Sequence, residues 1–268
     1  MSSWSRTGDV FELALDAAPC NEIGLPMLEL LERFVAEVEA SDAKAVIIHS
    51  LRPLGFCAGA DLKGLLEAMR ARAANGYVDD VQMFIDRIHA VMARLDALPQ
   101  TTFAALHGVC FGGGFELALV CDVLVADKTT RFAFPELRLG LVPGFGGIPR
   151  LRRDVANSVV RDLLMTGRSM NATRAHAVGL VSQLVAPGQQ LLAARSAARQ
   201  ACLFDREVQA QAKAFTKPLL LDELATERRL FMQMIAQPRV MQALSDFVAR
   251  RDPMPYLPQA AASVKDSV

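Results

Sequence analysis

The chain has no cysteine pair at metal-site or redox spacing, no excess of either charge and no long apolar run. Its five cysteines, Cys20, Cys57, Cys110, Cys121 and Cys202, are scattered, and none forms a CxxC. A chain of this length does not need disulfide staples, so reduced thiols in a cytoplasmic protein are expected. Lys plus Arg and Asp plus Glu each number 29, a formal net charge of zero. A broad phosphate-binding surface needs a basic excess, so a nucleic-acid partner is not expected. A small local anion site stays open. No apolar run reaches the ~18 residues of a membrane span. The stretch 1–9, MSSWSRTGD, lacks the apolar segment of a secretory signal, so neither membrane insertion nor export is expected.

Several catalytic signatures are also missing. The glycines at 112–114 do not complete GxGxxG, and no GKS or GKT follows a glycine loop, so the two common nucleotide-phosphate motifs are absent. There is no GxSxG nucleophile elbow. His49, His89, His107 and His176 lie in separate segments without HExxH or Cys/His spacing, so no metal site is expected.

What is present is ample material for a core: 268 residues, 52% of them hydrophobic. Residues 10–15 alternate like a half-buried strand, and 26–39 carry Leu28, Leu31, Val35 and Val38 at helical spacing. Strands are predicted at 45–48, 101–106, 123–126 and 132–134, with a loop over 50–59. Helices are predicted at 61–74, 79–98 and 115–120. Strands alternating with helices point to the α/β class. Beyond Pro187-Gly188 the chain turns Ala-, Gln-, Arg- and Leu-rich and reads helical almost to Pro253. This predicts a core over 1–190 and a helical region over 191–268. The apolar positions Leu220, Leu221, Leu224, Leu230, Met234, Ile235, Val240 and Leu244 are too many for a solvated tail, which predicts an interface there.

Three segments can carry chemistry. The first is FCAGAD at 56–61, where Asp61 sits as an N-cap for the following helix. The second is GGGFE at 112–116. Three successive glycines cost backbone entropy and call for unusual φ/ψ or a close approach. At a helix start their free N–H groups form an electropositive spot for a ligand oxygen. Gly113 and Glu116 are three apart and share a helical face, so a donor and a carboxylate would face one cavity. The third is FPE at 134–136, followed by PGFGG at 143–147. A carboxyl at 136 beside an aromatic strand has a raised pKa, which suits proton transfer near neutrality, and Glu116 and Glu136 could share a water. The same residues also fit a tight strand–helix turn with a solvated Glu116 and a helix-start acid at 136.

Taken in order, AKAVIIHS…FCAGADLKGL, TTFAALHGVCFGGGFELALVCDVLVAD, TRFAFPELRLGLVPGFGGIPRL and LMTGRSMNATRAHAVGLVSQLV resemble the enoyl-CoA hydratase/isomerase (crotonase) superfamily, with a weak continuation into SDFVARR. The resemblance implies the crotonase spiral of β-β-α units with a C-terminal helical region that builds a trimer or a dimer of trimers. It implies reversible hydration of a 2-enoyl thioester. Glu116 would activate the water that attacks C3, and Glu136 would deliver a proton to C2. The N–H groups of Ala60 and Gly113 would form the oxyanion hole. Coenzyme A, part of the substrate and not a separate cofactor, would lie against Cys57, Ala58, Asp61, Leu62 and Lys63. Gly112, Pro143 and Gly144 would shape the wall, and Phe247 and Arg250 would reach the substrate near the end of the chain, Arg250 from a neighbouring subunit. Two alternatives within the resemblance are a 3-enoyl to 2-enoyl isomerase and a hydratase acting on carrier-protein-bound, β-branched acyl groups. A non-catalytic scaffold is the alternative outside it. Phe111 and Phe115 flank the glycines where smaller residues are usual, which bears on the acyl group.

Overall fold

The computed structural model describes residues 2–75 and 79–249. The chain runs β1 (Ser3–Thr7), β2 (Val10–Leu15), α1 (Leu25–Glu39), β3 (Ala45–Ser50), β4 (Gly55–Cys57), α2 (Leu62–Asn75) and α3 (Asp79–Ala97). It continues through β5 (Thr101–Leu106), β6 (Val109–Phe111), α4 (Gly113–Leu119), β7 (Val123–Asp127), β8 (Arg131–Ala133) and a 3-10 helix at Pro135–Leu139. The rest is α5 (Gly147–Asp154), α6 (Asn157–Thr166), β9 (Met170–Asn171), α7 (Ala172–Ala177), β10 (Gln183–Val185), α8 (Gln190–Ala201), α9 (Arg206–Thr216), α10 (Leu221–Ile235) and α11 (Pro238–Ala249).

Two sheets organise the core. The larger has the order β1-β2-β3-β5-β7-β10 and the smaller β4-β6-β8-β9. Pairing is parallel throughout except at β1–β2 and β8–β9. Each turn of the chain lays a longer strand in the first sheet, a short one in the second, then a helix: β3-β4-α2, β5-β6-α4, and β7-β8 with the 3-10 helix. This is the α/β spiral expected from the sequence. Parallel strands are covered on both faces, so they read as continuous apolar runs. AVIIHS of β3 is buried along its whole length. On one face Leu28, Leu31 and Val35 of α1 and Ile88, Met92 and Leu95 of α3 join the main core. On the other, Ala194 and Ala198 of α8 lie against Ile47, Phe103 and Val125, small side chains that let the helix approach closely. α8 thus covers the sheet although it begins at the expected 190/191 division.

Five strands were not predicted: β1, β4, β6, β9 and β10. β1 is a mostly exposed polar edge, SWSRT, without hydrophobic alternation. β4 and β6 are three residues each, too short to show a period. Among the described residues no helix is long and apolar enough to cross a membrane.

The C-terminal helices differ from expectation in one respect. Leu224, Ile235, Val240 and Leu244 are buried within the chain itself. They are explained by packing on their own core, without a partner. Leu221 and Leu230 of the predicted set are exposed, and so are Leu203, Phe204, Val208 and Phe215.

Candidate active site

The segment from Cys57 to α2 is pinned by backbone bonds on both sides of Ala60. Ala58 N–H donates to Cys20 O at 2.9 Å, Ile23 N–H to Gly59 O at 2.8 Å and Asp61 N–H to Ile23 O at 3.1 Å. Asp61 Oδ1 accepts from Gly64 N–H at 2.9 Å and caps α2, as expected. Across from it, Gly112 N–H donates to Ala133 O at 2.9 Å and Glu116 N–H to Gly112 O at 2.9 Å. The N–H groups of Ala60 and Gly113 have no acceptor among the described residues, and both line one cavity. They are neighbours: a Cβ placed on Gly113 would lie 3.4 Å from Ala60 N. Backbone donors left unpaired in a protein interior are rare, because the loss of water is not made up. Two together, facing a cavity, can receive an oxygen that gains negative charge.

The glycine run has specific steric causes. Gly112 has φ +49, and a Cβ there would overlap Glu136 Oε1. A Cβ at Gly114 would overlap the backbone carbonyl of Cys57. The two phenylalanines beside the run point away from the cavity. Phe111 is in a small core of its own, and Phe115 stacks on Phe134 with ring centroids 4.8 Å apart. They shape the core and not the substrate wall, contrary to the expectation that they bear on the acyl group.

The cavity, about 490 Å³, has both glutamates in its lining. Glu116 is 1% exposed. Its Oε1 accepts from Phe145 N–H at 2.7 Å and from Gly147 N–H at 2.8 Å. Burial pushes it up to about 7, against the lowering pull of those two donors and of Arg150. Glu136 begins the 3-10 helix, and its Oε2 is buried with no hydrogen-bond partner among the described residues. Burial first, and the charge of Glu116 second, push Glu136 well above the usual carboxylate range. Two carboxyls in one dry cavity cannot both ionise cheaply. Glu116, with two donors from the loop, is raised less than Glu136, whose Oε2 has no partner among the described residues.

A third carboxyl completes the loop between them. Glu227 of α10 accepts from Gly146 N–H at 2.6 Å through Oε1 and from Ile148 N–H at 2.7 Å through Oε2. Burial and then Glu116 push it up to about 8. Sequence reasoning did not find it. The signal was there: Leu224, Glu227, Phe231 and Ile235 form one stripe of α10, and all four are buried. A glutamate inside an apolar stripe requires partners. Behind the loop, Arg150 Nη1 donates to Phe145 O at 2.9 Å and Nε to Asp96 Oδ2 at 2.8 Å. Asp96 also meets Arg153 at 3.2 Å and Lys217 at 3.0 Å. Against the raising effect of burial, Lys217, Arg150 and Arg153 hold Asp96 down at about 2. His89 Nε2 lies 2.8 Å from Gly144 O, and burial lowers it to about 4, so it is neutral and donates there.

Comparison with known proteins decides the family. The model of the enoyl-CoA hydratase/isomerase family matches residues 7–255. The chain belongs to the enoyl-CoA hydratase/isomerase family. It is 34% identical over 235 residues to a probable enoyl-CoA hydratase of Rhizobium meliloti (strain 1021), covering 86% of this chain and 88% of that one. Among solved structures it is similar to an enoyl-CoA hydratase from Bacillus anthracis, with a TM-score of 0.73 at 25% identity, covering 94% of this chain and 93% of that one. An enoyl-CoA hydratase structure from Bacillus halodurans shares the fold with a TM-score of 0.82 at 19% identity, covering 91% of this chain and 99% of that one.

Of the residues that the family resemblance marks, Ala58, Ala60, Asp61, Leu62, Gly112, Gly113, Glu116, Glu136 and Gly144 line the cavity. Others fall outside that lining. Cys57 is buried, its Sγ donating to Asn21 O at 2.9 Å, because β4 turns the side chain into the core. Pro143 is buried in the turn before the loop, and Phe145 and Leu141 form the wall in its place. Phe247 packs against the main core from α11. Lys63 is exposed in the first turn of α2. Arg250 lies outside the described residues.

Proposed function

We propose that this protein adds water across the C2=C3 bond of a 2-enoyl-CoA thioester and runs the dehydration in reverse. The observation that carries the reading is the unequal glutamate pair: one carboxyl with two backbone donors from the loop, the other with its Oε2 buried and unpartnered among the described residues, in a cavity that also presents the N–H groups of Ala60 and Gly113. The thioester oxygen accepts from Ala60 N–H and Gly113 N–H, which stabilises the enolate formed when C3 is attacked. Glu116, as carboxylate, takes a proton from water, and the resulting hydroxide adds to C3. Glu136, as the acid, gives its proton to C2. The two then exchange a proton to return to the starting state. Water is added whole and no electrons are transferred, so the step calls on no redox cofactor. Environments that push two titratable groups apart assign acid and base in this way.

For the thioester tail, Lys63 is a cation in reach of solvent at the cavity's edge, consistent with a phosphate contact, and Arg250 is proposed as a second one. The exposed apolar set Leu203, Phe204, Val208, Phe215 and Leu221 supports assembly as a trimer or dimer of trimers. Five unpaired cysteines agree with a cytoplasmic location.

The test is loss of the conjugated enoyl absorbance on a panel of straight, branched, dicarboxylic and carrier-protein-bound 2-enoyl thioesters. No turnover on any of them sinks the reading. Glu116→Gln and Glu136→Gln are each expected to lower kcat by about 10²–10⁴ with the fold retained. A fatal Glu136→Gln beside a mild Glu116→Gln would point to an isomerase that shifts the double bond with one acid.

A further inference from the structure

The hydration step leaves Glu227 without a role, yet the protein buries it at the site. The start of α5 explains what it does. Its N-cap is Gly146, which has no side chain to satisfy the free N–H groups of the first turn. Those groups are taken alternately from two sides. Glu116 holds 145 and 147, and Glu227 holds 146 and 148. The base and Glu227 therefore grip adjacent donors of one five-residue loop, and either can keep its bonds only while the loop stays put.

We propose that Glu227 is a positioning residue for Glu116: by accepting from Gly146 N–H and Ile148 N–H it fixes the loop whose Phe145 and Gly147 N–H groups bond the base. The kinetic part rests on the hydratase reading. The groups facing Glu227 can be named by element: Glu116 on α4, Glu136 on the 3-10 helix and Arg150 on α5, the last tied to Asp96 of α3. His89 of α3 holds the far end of the loop at Gly144 O. On the same helix, Arg228 turns to Asp86 of α3, and α11 buries only Val240 and Leu244. The Phe145 and Gly147 N–H groups lower Glu116 against its burial, so a loop that slips away from Glu116 leaves the base harder to ionise.

Glu227→Gln keeps the side chain's shape and replaces one of its two acceptor oxygens with an NH2 that cannot accept from Gly146 or Ile148 N–H. Its kcat is expected to fall by about tenfold or more with KM within about threefold, the signature of lost transition-state positioning. The acidic limb of kcat/KM against pH, which reports the base of the free enzyme, is expected to move to higher pH, because loosened Phe145 and Gly147 N–H groups hold Glu116 down less. The amides of Phe145–Ile148 are expected to exchange hydrogen faster than in the wild type. Glu227→Asp, which keeps both carboxyl oxygens on a stem too short to hold both donors, is expected to move the limb the same way and to exchange the same amides fast. An unmoved limb, with a kcat loss that vanishes once rates are referred to folded protein, overturns the proposal. Unchanged amide exchange in the Gln variant overturns it too. If that variant does not fold, wild-type exchange and wild-type kcat in Glu227→Asp overturn it. If the wild type hydrates no thioester, the hydratase reading falls, and the exchange measurement alone decides whether Glu227 holds the loop.

Discussion

The two walls of the cavity are built on different principles. The wall from Cys57 to Asp61 and the glycine run opposite is made of backbone. Its donors are main-chain N–H groups, and its shape depends on side chains that are absent at Gly112 and Gly114. The wall from Gly144 to Ile148 is made of backbone too, but long-range side chains hold it. Glu116, Glu227, Arg150 and His89 come from four helices and bond nearly every polar atom it offers. The first wall is rigid because nothing else fits. The second is rigid only while its charges and hydrogen bonds are intact.

The largest effect that would break this contrast is expected at Asp96. Asp96→Ala removes the carboxylate shared by Arg150, Arg153 and Lys217, cations at most 10% exposed; Arg153 keeps Asp154 and Lys217 keeps Asp122, but Arg150 loses its acid partner. Removing one partner of a buried ion pair costs about 3–5 kcal/mol. Denaturant unfolding checks the cost, and kcat per folded molecule checks whether the loop moves with it. A mild stability change with normal kcat would show that the second wall does not depend on this anchor.

Next in size is the first wall. A Cβ at Gly113 would lie 2.6 Å from the Phe145 ring and crowd the donor against Ala60 N. Gly113→Ala is expected to lower kcat/KM by about 10²-fold, the scale of losing one oxyanion donor, with only a modest drop in Tm. A large loss of Tm with normal kcat/KM would reverse the assignment of rigidity.

The smallest of the three is a pH effect on the second wall. Buried His89 ionises at about 4 in the folded chain, against about 6.5 when unfolded. Below pH 6.5 the unfolded state therefore binds the proton first, and the folded state loses stability as pH falls toward 4. Between pH 6.5 and 5 the loss is about 2 kcal/mol. Urea midpoints across that window measure it, and His89→Gln, which can still donate to Gly144 O, is expected to flatten the slope. A wild-type slope unchanged by that substitution would place the acid sensitivity elsewhere.

The contrast also explains what could be read from the chain. Glycines, the N-cap Asp61 and the two glutamates of the motif segments were legible, because local backbone demands show as residue types at fixed spacing. The long strands were legible as apolar runs: β2 and β5 lie where predicted, and β3 runs only two residues further. The short strands β4 and β6 were not, since three residues carry no period. The second wall was half legible. PGFGG marked the loop, but nothing near it in sequence shows that Glu227 caps it from 81 residues away or that Asp96 anchors Arg150. Those links exist only after α10 and α3 pack. Pro143 and Cys57 lie outside the cavity lining for the reverse reason, since a motif names a segment and not the direction of each side chain.

The reach of Glu227 also orders events at the ribosome. Both glutamates of the proposed reaction are synthesised well before the residue that caps the loop between them. At ordinary elongation rates, the nascent chain waits on the order of ten seconds with its acid and base made and the start of α5 uncapped. The last helices thus act as a completion check. A chain cut short before α10 would carry every residue of the proposed proton transfers and still lack the hold on Gly146 and Ile148.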